Sequence, residues 1–212
     1  MHDQDLLMND TELRAAGAAL PAPSADLLDR LSDRAERVGL VDISYGEMDS
    51  PVGPLVIAVT ERGLVQLSYS DRYTEALPDL ARLLSPRIMR RPHRTDGVRR
   101  ELDEYFDGRR RSFDMHLDWA LIRGFRRQVL EVTAAIPFGQ FLTYSEVAGR
   151  AGNPRASRAA GNALGSNPMP IVIPCHRVLR TGGGLGGYTG GIHRKVQLLR
   201  LEGVEPGQGP SL

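Results

Sequence analysis

The chain's single cysteine, Cys175, stands in the run Ile171-Val172-Ile173-Pro174-Cys175-His176-Arg177-Val178, where an apolar, strand-like segment stops at a proline and meets a basic pair. A lone cysteine is usually a small buried hydrophobe. Here the proline puts the thiol at an element boundary, and two neighbours can supply positive charge. Such surroundings favour the thiolate of a side chain whose free pKa is about 8.5. One cysteine forms no intramolecular disulfide and furnishes no multi-cysteine zinc site. Beyond it, seven of the ten residues 182–191 are glycine. That density implies unusual backbone angles or close approach of the backbone to something flat or phosphorylated. No Gly-Lys-Ser/Thr ending is present, which argues against a nucleotide P-loop.

The elements that must hold these residues fall into an α+β pattern. Residues 1–23 carry no sustained period and read as a leader. Ser24 then caps a helix over 24–38 with Leu27, Leu28, Leu31, Ala35 and Val38 on one face. Strand-like runs follow at 42–45, 55–59 and 64–69, with a turn at Glu61-Arg62-Gly63, and predict an antiparallel meander. A helix near 75–84, a short strand near Ile88, a helix over 98–106 and an extended stretch at 113–117 complete the first unit. After Trp119 the chain turns helical, with helices expected at 124–136, 145–151, 154–164 and 192–202. The pair joined by Gly152-Asn153, with Asn153 as N-cap and Pro154 at the first helical position, resembles a helix-turn-helix. Ala156, Ala159, Ala160, Gly161 and Ala163 leave its second helix nearly bare, with Arg155 and Arg158 projecting.

A net charge of +1 over 212 residues hides an asymmetry: residues 1–50 sum to −7 and residues 120–200 to +9. So basic a block suits a polyanion partner, and equally a solvated face balanced by the acidic half. No stretch approaches the roughly 18 apolar residues of a membrane span, and the first ten residues are acidic, so a cytoplasmic protein is expected.

Taken together, Pro174-Cys175-His176-Arg177-Val178, Gly165-Ser166-Asn167-Pro168 before it, and Gly186-Gly187-Tyr188-Thr189-Gly190-Gly191 and Glu202-Gly203 after it closely resemble the O6-alkylguanine-DNA alkyltransferases. The resemblance covers roughly residues 119–206 in detail and 41–118 in layout. It implies a ribonuclease-H-like α/β domain over 41–118, then a mostly helical, winged-helix-like DNA-binding and catalytic domain over 119–206; residues 1–40, read as an extension, and the tail at 207–212 fall outside it. The implied activity is repair by direct reversal: Cys175 takes the alkyl group from O6-alkylguanine, and from O4-alkylthymine, in one displacement. The thioether is permanent, so each molecule reacts once.

Roles follow by the same resemblance. His176 and Glu202 relay a proton from Cys175, through a bridging water because neighbours in an extended segment point apart. Asn167 braces the turn. The carbonyls of Cys175 and Val178, the Tyr144 hydroxyl and the Thr189 amide read the base, and Tyr188 shapes the wall. Gly186 and Gly190 leave room for groups larger than methyl. Arg158 enters the duplex and fills the space of an extruded nucleotide. Arg155, Ser145, Ala156, Ala159, Ala160 and Gly161 face DNA through its minor groove, whose width of about 6 Å demands a bare helix. Low sequence specificity, a monomer in solution, and no metal or cofactor are expected. Three rivals are a non-catalytic alkyltransferase-like protein, a cysteine hydrolase and a plain winged-helix module. The first lacks the cysteine, the signatures of the second are missing, and the third needs neither thiol nor glycine loop.

Overall fold

A computed structural model describes residues 24–205; the leader at 1–23 and the tail at 207–212 lie outside them. Residues up to Leu40 form one compact unit and those from Val41 a second. In the first, helix α1 (Ala25–Arg37) starts where the Ser24 hydroxyl accepts from the Leu27 amide at 3.3 Å. Asp26 in its first turn and Arg34 and Arg37 in its last complement the helix dipole. None of the described helices is long and apolar enough to cross a membrane.

The second unit opens with strands β1 (Ile43–Met48), β2 (Leu55–Thr60) and β3 (Gly63–Tyr69) as an antiparallel meander. Helix α2 (Tyr73–Leu83) crosses over so that β4 (Ile88–Arg90) pairs with β1 in parallel, giving the order β3-β2-β1-β4. Both faces of β2 are covered, which explains its unbroken apolar run. Ile43, Ala58 and Val65 point to Leu80 of α2. On the other face, Leu55, Ile57, Leu67 and Tyr69 meet Leu102 and Tyr105 of helix α3 (Asp96–Phe106). That core continues without a break into Val129, Val147, Leu164, Ile173 and Leu198. The sheet is therefore one wall of the core that supports the cysteine.

The helical half comprises α4 (Gly124–Ala134), β5 (Leu142–Thr143), α5 (Tyr144–Arg150), α6 (Ser157–Gly165), β6 (Val178–Leu179) and α7 (Ile192–Leu201). Thr143 and Glu146 form a reciprocal capping box that fixes the start of α5, and with it Tyr144. Two expectations fail locally, and a third is met only by a short pairing. The Asn153 side chain accepts from the Arg155 amide at 3.2 Å, so Asn153-Pro154 makes a turn and α6 starts only at Ser157. The stretch 113–117 makes a single bridge, Leu64 to Leu117. The apolar run 171–173 is a tight turn closed by a Pro170–Ile173 bridge, not a strand.

Candidate active site

That turn is what presents the thiol. Ile171 holds φ +75, a left-handed conformation costly for a β-branched residue. The turn is held by Asn167, whose amide nitrogen donates to the Ile173 carbonyl at 2.8 Å and whose oxygen accepts from the Met169 amide at 3.0 Å. The Leu67 amide of β3 also donates to the Pro168 carbonyl at 2.8 Å, pinning the turn to the sheet. Cys175 then begins a short 3-10 turn with His176 and Arg177. The Asn167 amide reaches Cys175 Sγ as well, at 3.2 Å. One asparagine thus braces the backbone and touches the nucleophile.

The basic pair does not act on the sulfur as the sequence suggests. Arg177 turns away: its Nε and Nη2 each donate to Glu202 at 2.8 Å, and its Nη1 to the Ile136 carbonyl. His176 is fully buried and Nε2 lies 2.9 Å from Glu202 Oε1, while Nδ1 has no hydrogen-bond partner among the described residues. Burial holds the imidazole below its ordinary pKa despite Glu202, so it is neutral. Burial also raises the Cys175 thiol, against the Asn167 hydrogen bond and the charge of Lys195, which lower it. The resting sulfur is therefore a thiol beside a neutral base. Lys195 is the cation that matters here; it is fully buried, and its Nζ donates to the carbonyls of Val178 (2.6 Å) and Leu185 (2.5 Å). Burial brings its pKa down to about 8.

Glu202 caps the C-terminal end of α7, where the helix dipole disfavours an acid. Donors from three other segments hold it: His176 and Arg177, the Tyr105 hydroxyl at 2.7 Å, and the Gly139 amide at 3.3 Å. Burial would raise this carboxyl, but the hydrogen bonds from His176 and Arg177 overcome it and hold the pKa at about 2.

The sulfur opens on a cavity of about 430 Å³ lined by Tyr144, Gly161, Gly165, Arg180, Tyr188 and Thr189, among others. The Thr189 hydroxyl donates to the Gly165 carbonyl at 2.9 Å, tying the glycine loop to the end of α6. Val178 does not line the cavity, and its carbonyl already accepts from Lys195. Gly186 lines the cavity, and both Gly186 and Gly190 also make room for the aromatic walls. A Cβ on Gly186, at φ +66, would lie 2.7 Å from the Tyr144 hydroxyl, and one on Gly190 would overlap the Tyr69 ring. On α6, Arg158 and Ala159 are exposed and Gly161 is half-buried; Arg155 is exposed and Ala156 half-buried just before it, and Ser145 is exposed at the start of α5. Ala160 is fully buried in the core and presents nothing to a partner. The bare helix thus has two explanations, packing on one side and an open face on the other.

Two family models match in tandem. The one described as 6-O-methylguanine DNA methyltransferase, ribonuclease-like domain, covers residues 43–119, and the one described as 6-O-methylguanine DNA methyltransferase, DNA binding domain, covers 124–204. A methylated-DNA–protein-cysteine methyltransferase of Mycobacterium tuberculosis is 38% identical over 167 residues, 76% of this chain and 92% of the relative. The chain belongs to this methyltransferase family. A second relative of that name, from Methanosarcina acetivorans, is 36% identical over 75% of this chain and 97% of its own. The crystal structure of M. tuberculosis OGT in complex with DNA superposes with a TM-score of 0.65 at 37% identity, covering 75% of this chain and 92% of that one.

Within the methyltransferase the structure gathers Cys175, His176, Asn167 and Glu202 into one buried cluster, and Tyr144, Tyr188 and Thr189 around the cavity. Four participants escape a reading of the sequence, Tyr69, Tyr105, Arg180 and Lys195, and the partner of a fifth, Arg177, escapes it too. Arg177 was legible as part of a basic pair, but its partner is 25 residues away. Tyr69 and Tyr105 come from the sheet half, and Lys195 sits in an ordinary amphipathic helix. Only folding brings them to the site.

Proposed function

We propose that Cys175 is the acceptor in a single-turnover transfer of an alkyl group from O6-alkylguanine, and from O4-alkylthymine, in DNA. The observation that carries this reading is the buried sulfur opening on a base-sized cavity beside an arginine-bearing helix. Sγ attacks the alkyl carbon in line; the S–C bond forms as the C–O6 bond breaks, and the electron pair returns to the purine ring. The thiol proton passes through a water to Nδ1 of His176, whose Nε2–H is held by Glu202, and the imidazolium is stabilised by that carboxylate. The Tyr144 hydroxyl transfers its proton to the departing ring, which leaves as neutral guanine, and the tyrosinate and imidazolium left behind are neutralised by proton exchange through solvent. Nothing regenerates the thiol, because the S–C bond of the thioether does not exchange with thiols as a disulfide does.

Reaching a stacked base requires extruding it. Arg158 fills the gap, and the exposed face of α6 lies along the minor groove with Arg155, Ala156, Ala159, Gly161 and Ser145 against the backbone. Sequence preference is low because damage is what is read, and the protein acts as a cytoplasmic monomer. The division at 118/119 separates a supporting sheet domain from the reacting one. Intact mass tests the whole reading: incubation with an O6-methylguanine duplex adds one methyl to the protein, mapped to Cys175, and Cys175→Ala abolishes it. A methyl on any other residue, or none, overturns it.

A further inference from the structure

Resting on that reading, the geometry points to Tyr69, a residue of the sheet half, as a positioning residue that sets the alkyl-binding wall. Its hydroxyl lies 2.9 Å from that of Tyr188, which lines the cavity, and the rings meet edge-on at 6.3 Å and 69°. Tyr69 is itself only 2% exposed. It is gripped from the other side by Arg194, whose guanidinium carbon sits 4.2 Å from the ring centroid. Arg194 in turn donates to the Val52 carbonyl at 2.7 Å, to Asp71 at 3.0 Å and to the Gly190 carbonyl at 3.0 Å. Only a glycine at 190 admits the Tyr69 ring, since a Cβ there would overlap it.

The consequence concerns Tyr188. Its ring stands edge-on to His176 at 6.4 Å, so one aromatic side chain borders both the cavity and the proton acceptor. Among the described residues its hydroxyl has one side-chain anchor, and that anchor belongs to Tyr69. The sheet half therefore contributes a wall support to the reaction, in addition to the Tyr105 contact with Glu202. Tyr188 lines the cavity that the alkyl group must enter, and a benzyl group presents far more surface to that wall than a methyl group does. Tyr69 should accordingly weigh more on large alkyl groups than on small ones.

The experiment measures transfer under single-turnover conditions, with substrate in excess so that the rate constant reports only folded molecules. Wild type, Tyr69→Phe, Tyr188→Phe and the double variant are compared on an O6-methylguanine duplex and on free O6-benzylguanine. Loss of one net hydrogen bond corresponds to about a fivefold slower benzyl transfer in each single variant. The methyl rate falls less, the double variant is no slower than the slower single one, and duplex affinity in a Cys175→Ala background is unchanged. Gly190→Ala, which crowds the Tyr69 ring, lowers the same benzyl-to-methyl ratio without touching either hydroxyl. An unchanged ratio in Tyr69→Phe, or effects that multiply in the double variant, overturns the inference. Failure of wild type to accept a methyl would instead sink the functional reading on which it rests.

Discussion

Glu202→Gln removes one negative charge from a point on which five donors converge: the Tyr105 hydroxyl, His176 Nε2, two nitrogens of Arg177 and the Gly139 amide. The amide that replaces one oxygen brings two hydrogens toward other hydrogens, and the nearly buried Arg177 is left without its counter-charge. Breaking one side of a buried ion pair costs about 3–5 kcal/mol. The pH dependence gives a second route to the same figure. Glu202 falls from 4.5 to about 2 on folding, a difference worth on the order of 3 kcal/mol. Because the folded value is depressed, this stability is fully present above the unfolded value and disappears as pH falls through the folded one. Urea unfolding of wild type and variant from pH 7 down to pH 2 measures it. The difference between them should be constant above about pH 5 and shrink steadily toward about pH 2, and the variant's Tm at pH 7 should drop by roughly 6–20 °C. A difference under about 1 kcal/mol, or one that does not vary with pH, would refute the claim that this carboxylate is a buried structural hub.

Three further outcomes follow from the site. Asn167→Ala removes the turn brace and the Sγ contact together, so it should cost about 1–3 kcal/mol and move the rise of the transfer rate with pH to higher pH, read from a rate–pH profile. Arg158→Ala, at an exposed position, should leave urea stability within about 0.5 kcal/mol while slowing transfer from duplex DNA and sparing transfer from free benzylguanine; equal losses on both substrates would count against its role. Lys195 binds its proton less well folded than unfolded, with a pKa of about 8 against 10.5. The folded state therefore holds fewer protons between those values, and wild-type stability should rise relative to Lys195→Met as pH goes from 8 to 10.5, measured by denaturant titration.

The meander, α3, α4 and α7 were legible because their hydrophobic periods are strong and their ends carry turn residues. The run 171–173 was not, since a short buried apolar segment has the same pattern whether it is a strand or a turn. The start of α6 was misplaced because Asn-Pro satisfies the signals of both a helix cap and an Asx turn, and a single hydrogen bond to Arg155 decides between them.

Local sequence determined the chemistry on offer: one thiol, a histidine beside it, a glycine-built loop behind it and arginines before it. Those are properties of neighbours along the chain, and the resemblance they carry to the alkyltransferases implied the reaction. What it could not assign was which charge acts on which atom. Arg177, adjacent to the site in sequence, is spent on Glu202, while Lys195, twenty residues away, carries the positive charge that acts on the sulfur. The cavity's wall depends on Tyr69, more than a hundred residues from the cysteine. Electrostatics and packing act through space within a few ångströms, so these assignments exist only once the sheet and helices have closed around a common core.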